Sequence, residues 1–236
     1  MALIKQDIET LLNLKLVEAD AIRERKFHVC VDAVNSDDCI VLAELFRALN
    51  VDFLMLQNDK YGILNRTRKD GFDLGLVVDT QTCSLSIICE DGTMFGQDYT
   101  LVAVADYVLG ATPGHTVSSL NCTRALHDIT LKHGGIHYTS AVGQTSVVEK
   151  IKEVGAVIGG EDNGGIIYPE YSYESSVLVG IVLFLSSLAQ KQCTVSQLRS
   201  TLPNCHIVKN HIDLAPSIDV ESVLKRVENR FVHDDS

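Results

Sequence analysis

The chain has 236 residues, of which 46% are hydrophobic, so it can bury one large core or two of ordinary size. This composition excludes an intrinsically disordered chain. Its 20 basic and 31 acidic residues give a formal net charge of −11, which disfavours a nucleic-acid partner because phosphate backbones attract a basic surface.

The cysteines and the apolar segments bear on the cellular location. Seven cysteines form no CxxC pair, and the amino end has the pattern of a helix and not of a secretory signal. Together they predict a reducing, cytoplasmic location. The most apolar segment, 177–189, is only 13 residues long and contains two serines, so it predicts a buried helix and no membrane span.

The first half of the chain alternates between helical and strand patterns. Residues 1–25 carry Leu and Ile at helical spacing and predict a helical lead-in. Strands are predicted at 28–34, 51–56, 74–78 and 85–89, and a helix at 38–49. The last two strands are joined by a polar loop that begins with a single carboxylate, Asp79.

The second half repeats this alternation. Helices are predicted at 98–110, 123–133 and near 145–154, and strands at 116–120, 136–139 and 156–160. A glycine-rich loop, a short apolar stretch and the buried helix follow. The two halves therefore have the pattern of α/β sandwiches of similar size, which suggests a duplicated unit. Residues 207–236 predict a connector strand, a turn marked by proline and an amphipathic helix.

The strongest local signal is the stretch VIGGEDNGGIIYPE at 157–170. Four glycines flank Glu161, Asp162 and Asn163, so a tight turn would present two carboxylates and an amide together. Such groups suit a polyol, because each can exchange hydrogen bonds with neighbouring hydroxyls. A plain turn held by Asx hydrogen bonds explains the same residues, and taken alone the pattern favours that interpretation.

Two further segments place polar groups at predicted helix starts. TSAVGQTSV, at 139–147, sets Gly143 and Gln144 where a strand gives way to a helix, a position that favours an anion such as phosphate. Arg124 in NCTRAL has the geometry to meet a phosphate with two hydrogen bonds. An ordinary helix cap explains Gly143 and Gln144 equally well, and an arginine such as Arg124 is more often a plain surface residue. The eight histidines show no metal-ligand spacing.

Taken in order, these segments resemble the α-D-phosphohexomutases, the family of phosphoglucomutase, phosphomannomutase and phosphoglucosamine mutase. The motifs are VDAVNS, DLGLVVD, EDGTMFGQDYTLVAVADYVL, CTRAL, AVGQTSV and GGEDNGG, between about residues 26 and 214. The resemblance implies an α/β fold with two similar three-layer α/β/α sandwich domains containing mixed sheets, the family's domains II and III. Its implied boundaries are a lead-in at 1–25, domain II at 26–97, domain III at 98–206 and a connector at 207–236.

The resemblance also implies a chemistry. The family transfers a phosphoryl group between the C1 and C6 oxygens of a hexose through a phosphoserine, beside a Mg²⁺ ion held by a DxDxDR loop. We expect no counterpart here of the phosphoserine domain or of the phosphate-gripping fourth domain. At the positions of the metal loop the chain has Asp79, Gln81, Cys83 and Ser84. One carboxylate, an amide and a thiol are poor ligands for Mg²⁺, so the resemblance predicts no bound cofactor and no catalytic residue.

The sugar and phosphate loops of the family are better matched. Glu161 stands where the family has the glutamate that grips sugar hydroxyls, and Gly165 stands where many members have histidine. Ala141 replaces a lysine that contacts phosphate in some members. The resemblance thus predicts sugar binding by Glu161, Asp162 and Asn163, and phosphate binding by Arg124, Gly143 and Gln144.

Three functions remain open on the sequence. The first is a two-domain relative that binds a hexose phosphate weakly without turning it over. The second is an enzyme, the central part of an intramolecular phosphotransferase whose other domains come from elsewhere. The third is a structural or interaction module that binds no sugar. The partners expected are a hexose phosphate, a second copy of the chain or a mutase-type partner chain, and neither nucleic acid nor a membrane.

Overall fold

The computed structural model describes residues 2–33, 36–57 and 62–205, together with the short pieces 207–208, 215 and 218–231. The chain divides into two compact units, Met1–Cys205 and His206–Ser236. The first unit contains two β-sheets with helices packed on them. Among the described residues, no helix combines the length and apolar character needed to cross a membrane.

The first sheet has four strands in the order β2-β1-β3-β4, and β4 alone runs antiparallel to its neighbour. Two helices precede it, and two more connect its strands. The elements are α1 (Ala2–Leu12), α2 (Ala19–Arg25), β1 (His28–Ala33), α3 (Ser36–Ala48), β2 (Asp52–Gln57), α4 (Gly62–Lys69), β3 (Leu74–Asp79) and β4 (Ser84–Cys89).

The second sheet has five strands in the order β6-β5-β7-β8-β9, of which β5, β6 and β7 are parallel to one another. Strands β8 and β9 extend it as antiparallel strands. The elements are α5 (Gln97–Ala111), β5 (Thr116–Ser119), α6 (Ala125–Lys132), β6 (His137–Ser140), α7 (Gln144–Val154), β7 (Ile158–Gly160), β8 (Ile166–Tyr168), β9 (Ser172–Ser176), α8 (Val177–Lys191) and α9 (Val195–Ser200).

The predicted α/β fold with two mixed sheets is confirmed. Both sheets follow the same connection order, strand, helix, strand, helix, strand and antiparallel strand, with the first strand lying between the second and the third. This is the repetition that a duplicated unit would show. Three elements were not predicted, α4, β9 and α9, because their residues are largely polar.

One core cluster extends through both halves of the first unit. It contains side chains of β1, β3 and β4 from the first sheet, of β7 and β8 from the second, and of α5 and α8 between them. Smaller clusters lie elsewhere, one between α4 and the first sheet and one between α7 and the second. Each sheet is thus covered on two faces, and the inner layers share a single core.

The second unit contains α10 (Val220–Phe231). This helix agrees with the amphipathic helix expected near the carboxyl end. The predicted connector strand and the proline turn lie mostly outside the described residues.

Candidate functional site

The residues predicted to bind sugar and phosphate lie in loops at one edge of the second sheet. Strand β5 lies between β6 and β7, and the three strands are parallel. Because the carboxyl ends of parallel strands meet at the same edge, the loops 120–124, 141–143 and 161–165 lie side by side there. These loops, with the first residue of α7, carry Arg124, Gly143, Gln144, Glu161, Asp162 and Asn163.

The glycine loop, 161–165, contacts the start of α7 directly. The backbone N–H of Gly143 donates a hydrogen bond of 2.9 Å to Oε1 of Glu161. Gly143 precedes the first residue of α7 and has φ +116°, a conformation that side chains disfavour. The partial positive charge of the helix N-terminus favours the carboxylate. Glu161 therefore accepts from a backbone donor that the sequence assigned to a ligand phosphate.

Arg124 lies at the start of α6 and is 71% exposed. Its Nε is 3.8 Å from Oδ1 of Asp128, one helical turn further along. An exposed ion pair at this distance contributes little stability, so a ligand can replace Asp128 as the partner of the guanidinium. Gln144, the first residue of α7, is also exposed.

Asp162 lies close to the loop that follows β5. Burial raises the pKa of the Cys122 thiol to about 11, and the negative charges of Asp98 and Asp162 act in the same direction. The electrostatic effect of Asp162 on Cys122 links the glycine loop to the loop that carries Arg124. The strand order brings the predicted sugar-binding and phosphate-binding loops to the same edge of the sheet.

Asn163 has its side chain engaged within the protein. Its Nδ2 donates to the backbone oxygen of Thr82 at 3.3 Å, and its Oδ1 accepts from the N–H of Gly165 at 3.0 Å. Its own carbonyl oxygen accepts from the N–H of Leu85 at 2.9 Å. Asn163 thus connects the glycine loop to the loop between β3 and β4.

The β3–β4 loop, taken as 79–85 with the strand residues on either side, is the segment that the sequence resemblance matches to the family's metal loop. Both carboxylate oxygens of Asp79 accept hydrogen bonds from this loop: Oδ1 from the N–H groups of Gln81 and Thr82 at 3.0 and 3.3 Å, and Oδ2 from the Thr82 hydroxyl at 2.8 Å. Asp79 therefore closes an Asx turn.

The other groups of this loop do not form a magnesium site. Burial raises the pKa of the Cys83 thiol, whose Sγ lies 3.3 Å from the carbonyl oxygen of Ser175. A protonated, hydrogen-bonded thiol is a poor ligand for Mg²⁺, which prefers several anionic oxygens in octahedral geometry. Within the described ranges, no group of three or more His, Cys, Asp or Glu side chains is arranged to hold a metal. The donor set does not fit the ion.

The contact between these two loops was missed by sequence reasoning. A signal was present in the pair Gly164-Gly165, which was interpreted only as freedom to turn. Gly164 has φ +83°, and a Cβ on it would overlap the carbonyl oxygen of Leu85. Close packing against a partner far along the chain is the second common reason for a glycine.

The half of the chain that carries the candidate site is similar to a known family of proteins. Residues 96–205 match the sequence profile described as "Phosphoglucomutase/phosphomannomutase, alpha/beta/alpha domain III". This match includes the second sheet and all three loops of the candidate site. The chain is a relative of the α-D-phosphohexomutases.

Curated proteins extend the relation beyond this domain. A phosphomannomutase/phosphoglucomutase of Pseudomonas syringae pv. tomato is 24% identical over 210 residues, which are 80% of this chain and 45% of that protein. A phosphoglucomutase/phosphomannomutase of Thermococcus kodakarensis is 25% identical over 230 residues, 89% of this chain and 50% of that protein. This phosphohexomutase relative spans about half the length of the curated proteins it matches.

Solved structures support the same fold. A putative phosphomannomutase from Thermus thermophilus superposes with a TM-score of 0.75 at 17% identity, over 84% of this chain and 50% of that one. A phosphoglucomutase/phosphomannomutase family protein from Burkholderia thailandensis gives 0.68 at 23% identity, over 79% and 46% of the two chains. At these identities the likeness establishes the fold of this phosphohexomutase relative and leaves its activity to be tested.

Proposed function

We propose that this phosphohexomutase relative binds a hexose phosphate at the carboxyl edge of the second sheet and, as this chain alone, does not transfer its phosphoryl group. The observation that carries the proposal is the meeting of three loops at the ends of β5, β6 and β7. They bring an exposed guanidinium, Arg124, together with the carboxylates of Glu161 and Asp162. A guanidinium pairs with phosphate, and carboxylates accept hydrogen bonds from sugar hydroxyls.

The contact between Glu161 and Gly143 supports weak binding. A phosphate that approached the start of α7 would compete with Oε1 of Glu161 for the Gly143 N–H, which already donates to it at 2.9 Å. Arg124 is therefore expected to supply most of the attraction for the phosphate. Because none of these contacts involves a metal, binding should be independent of Mg²⁺.

The absence of turnover is inferred from the β3–β4 loop. Phosphoryl transfer depends almost entirely on positioning and on neutralising the charge of the phosphoryl oxygens. Asp79 is engaged in its own loop and the Cys83 thiol is held at a carbonyl, so this loop cannot supply that neutralisation. We therefore expect no mutase rate from this chain by itself.

Titration calorimetry with glucose 1-phosphate and glucose 6-phosphate, with and without EDTA, tests the binding. We expect weak binding that EDTA leaves unchanged and that Arg124→Ala and Glu161→Ala each reduce at least tenfold. Arg66→Ala, at an exposed position on α4, is the matched control and should bind as the parent does. No heat from the parent, or equal heat from Arg124→Ala and Arg66→Ala, would contradict the proposal.

A coupled mutase assay with glucose 1-phosphate and Mg²⁺ tests the second half. We expect no turnover above the uncatalysed rate. A Mg²⁺-dependent rate that Asp79→Ala abolishes would show that the loop binds a metal after all. It would favour the alternative in which the chain is the central part of a working mutase.

One observation favours a structural or interaction module instead. The predicted sugar-binding side chains Glu161 and Asn163 make hydrogen bonds within the protein. If calorimetry detects no ligand, these bonds are the whole role of the glycine loop, and the module becomes the better account.

A further inference from the structure

We propose that the β3–β4 loop, 79–85, and the glycine loop, 161–165, form a latch that joins the two sheets, and that the latch keeps divalent cations out of the β3–β4 loop. The inference goes beyond sugar-phosphate binding and does not depend on it. It assigns a positioning role to Asn163, which the sequence had assigned to sugar. The contacts below concern the first compact unit only.

Asn163 makes the polar half of the latch. Its backbone oxygen accepts from Leu85 N–H at 2.9 Å, and its side-chain amide donates to the carbonyl oxygen of Thr82 at 3.3 Å. Its remaining oxygen accepts from the N–H of Gly165 at 3.0 Å, which fixes the orientation of the amide group. A single residue thus satisfies backbone groups in both loops, and buried backbone groups left without partners destabilise a fold.

The two glycines that follow make the steric half. A Cβ on Gly164 would overlap the Leu85 carbonyl oxygen, and a Cβ on Gly165 would overlap the Ser175 hydroxyl and lie 2.7 Å from the carbonyl oxygen of Cys83. Both positions are therefore closed to any larger side chain. This accounts for glycine at position 165, where many phosphohexomutases have histidine.

The start of the β3–β4 loop is anchored to helix α3. The carboxylate of Asp38, a buried residue of α3, accepts from the Thr80 N–H at 3.1 Å, and its other oxygen accepts from the Thr80 hydroxyl. The loop is thus held by α3 at one end and by Asn163 and Ser175 at the other. Because α3 belongs to the first sheet's layers while Asn163 and Ser175 belong to the second sheet, these contacts couple the positions of the two sheets.

Cation exclusion follows from the same contacts. A magnesium ion needs about six oxygen ligands near 2.1 Å in near-octahedral geometry, usually one or two carboxylates with several waters. The oxygens of Asp79 and Asp38 are committed to Gln81, Thr82 and Thr80. The Cys83 side chain points at the Ser175 carbonyl oxygen, 3.3 Å away. A carboxylate at position 83 would place a negative charge next to the carbonyl oxygen of Ser175. The repulsion would break this contact of the latch and would not create a magnesium site.

The first test removes one donor from the latch. Asn163→Asp keeps the shape and the acceptor for Gly165 but cannot donate to Thr82. We expect amide hydrogen exchange at Leu85, the second residue of β4, to accelerate at least tenfold, with a lowered melting temperature. Asn65→Asp, an exposed position on α4, is the matched control and should change neither quantity. Unchanged exchange at Leu85 in Asn163→Asp would overturn the latch, whatever sugar phosphate the protein binds.

The second test restores the alternating carboxylates of the family's loop. The double variant Gln81→Asp/Cys83→Asp is compared with Gln81→Asp alone, at an exposed position where a carboxylate should be tolerated. We expect the double variant to melt several degrees lower than the single one, and neither to be stabilised by millimolar Mg²⁺ or Mn²⁺. A saturable rise in the melting temperature of the double variant with Mg²⁺, and a melting temperature equal to the single variant's without it, would overturn cation exclusion.

Discussion

At the scale of single residues, Asp32 is an unusual member of the first sheet. It lies on the central strand β1 and is fully buried, and neither of its carboxylate oxygens has a hydrogen-bond partner among the described residues. A buried polar group without a partner opposes folding. We expect Asp32→Asn, which replaces the carboxyl group with an amide of the same size, to raise the free energy of unfolding by about 1–3 kcal/mol.

Urea denaturation followed by circular dichroism measures this difference. Asp52→Asn serves as the control, because the Asp52 side chain is 83% exposed on the neighbouring strand and its replacement should change stability by less than about 0.5 kcal/mol. A destabilised Asp32→Asn variant would contradict the prediction and would show that the carboxyl group of Asp32 stabilises the fold.

Asp106 is the opposite case, a buried carboxylate whose partners are two lysines and a histidine. Lys191, Lys132 and His133 approach its oxygens at 2.8, 3.2 and 2.9 Å and tie α5 to α6 and α8. Burial alone would raise the pKa of Asp106, but hydrogen bonds from Lys191 and His133 outweigh it and hold the pKa well below its usual range. A carboxylate whose pKa is lower in the folded state stabilises the protein at pH values above its unfolded pKa of about 4. This contribution is lost as the pH falls from about 4 towards the folded-state pKa.

We therefore predict that Asp106→Asn lowers the free energy of unfolding by about 3 kcal/mol at pH 7, because it leaves cations without their counter-charge. The difference from the parent should shrink as the pH falls below about 4, where the parent loses this contribution. Denaturation curves between pH 7 and pH 2 measure it. Glu153→Gln, in an exposed helical pair with Lys150, is the control and should show neither effect. A difference that stays constant down to pH 2 would contradict the assignment.

At the scale of elements, the long apolar segments were predictable and the polar ones were not. Strands β3 and β4 and helix α8 have runs of apolar residues whose burial decides their structure. Strand β9 has the polar sequence SYESS and forms only because β8 pairs with it. Helix α9 depends on a capping box at Thr194 and on Glu90, which accepts from the Ser196 N–H at 3.1 Å across 106 positions.

Some features of the candidate site could be predicted from the sequence and others could not. The loops meet at one edge because β5, β6 and β7 are parallel, an arrangement that alternating strands and helices indicate, while the order of the strands comes from the structure alone. The pairing of Asn163 with Thr82 joins residues 81 positions apart, and that of Glu161 with Gly143 joins residues 18 apart. No local pattern contains such pairs, because the first joins loops of different sheets and the second joins loops of different strands in one sheet.

The helical lead-in offers an element-scale prediction. Its turn after α1 is held by the Tyr107 hydroxyl of α5, which donates to the Leu16 carbonyl oxygen at 2.8 Å, and burial raises the pKa of Tyr107 to about 12. Tyr107→Phe leaves that carbonyl unpaired and should lower the free energy of unfolding by about 1–2 kcal/mol. Amide exchange should accelerate in residues 13–18. Tyr138→Phe, at a half-buried tyrosine of β6, should do neither. Equal effects from both variants would contradict a specific role for Tyr107.

At the scale of the whole first unit, the shared core decides how the two halves unfold. Side chains from both sheets belong to one cluster, and α5 and α8 lie between the sheets. Neither half could expose its inner face without exposing the other's, which would forfeit roughly 25 cal/mol for each Å² of apolar surface uncovered. The two similar domains implied by the family resemblance should therefore not unfold separately.

We predict a single cooperative transition for residues 1–205, and a test that separates it from two. Ile151, a residue of α7, packs in a cluster that includes the second sheet and not the first. Ile63, a residue of α4, packs in a cluster that includes the first sheet and not the second. Ile151→Ala and Ile63→Ala should each lower stability by about 2–4 kcal/mol. Under conditions where exchange reports global unfolding, each should also accelerate amide exchange equally in β1 and in β5. If Ile151→Ala affects β5 and leaves β1 unchanged, the sheets unfold independently, and the latch between their loops carries less of the coupling than its contacts indicate.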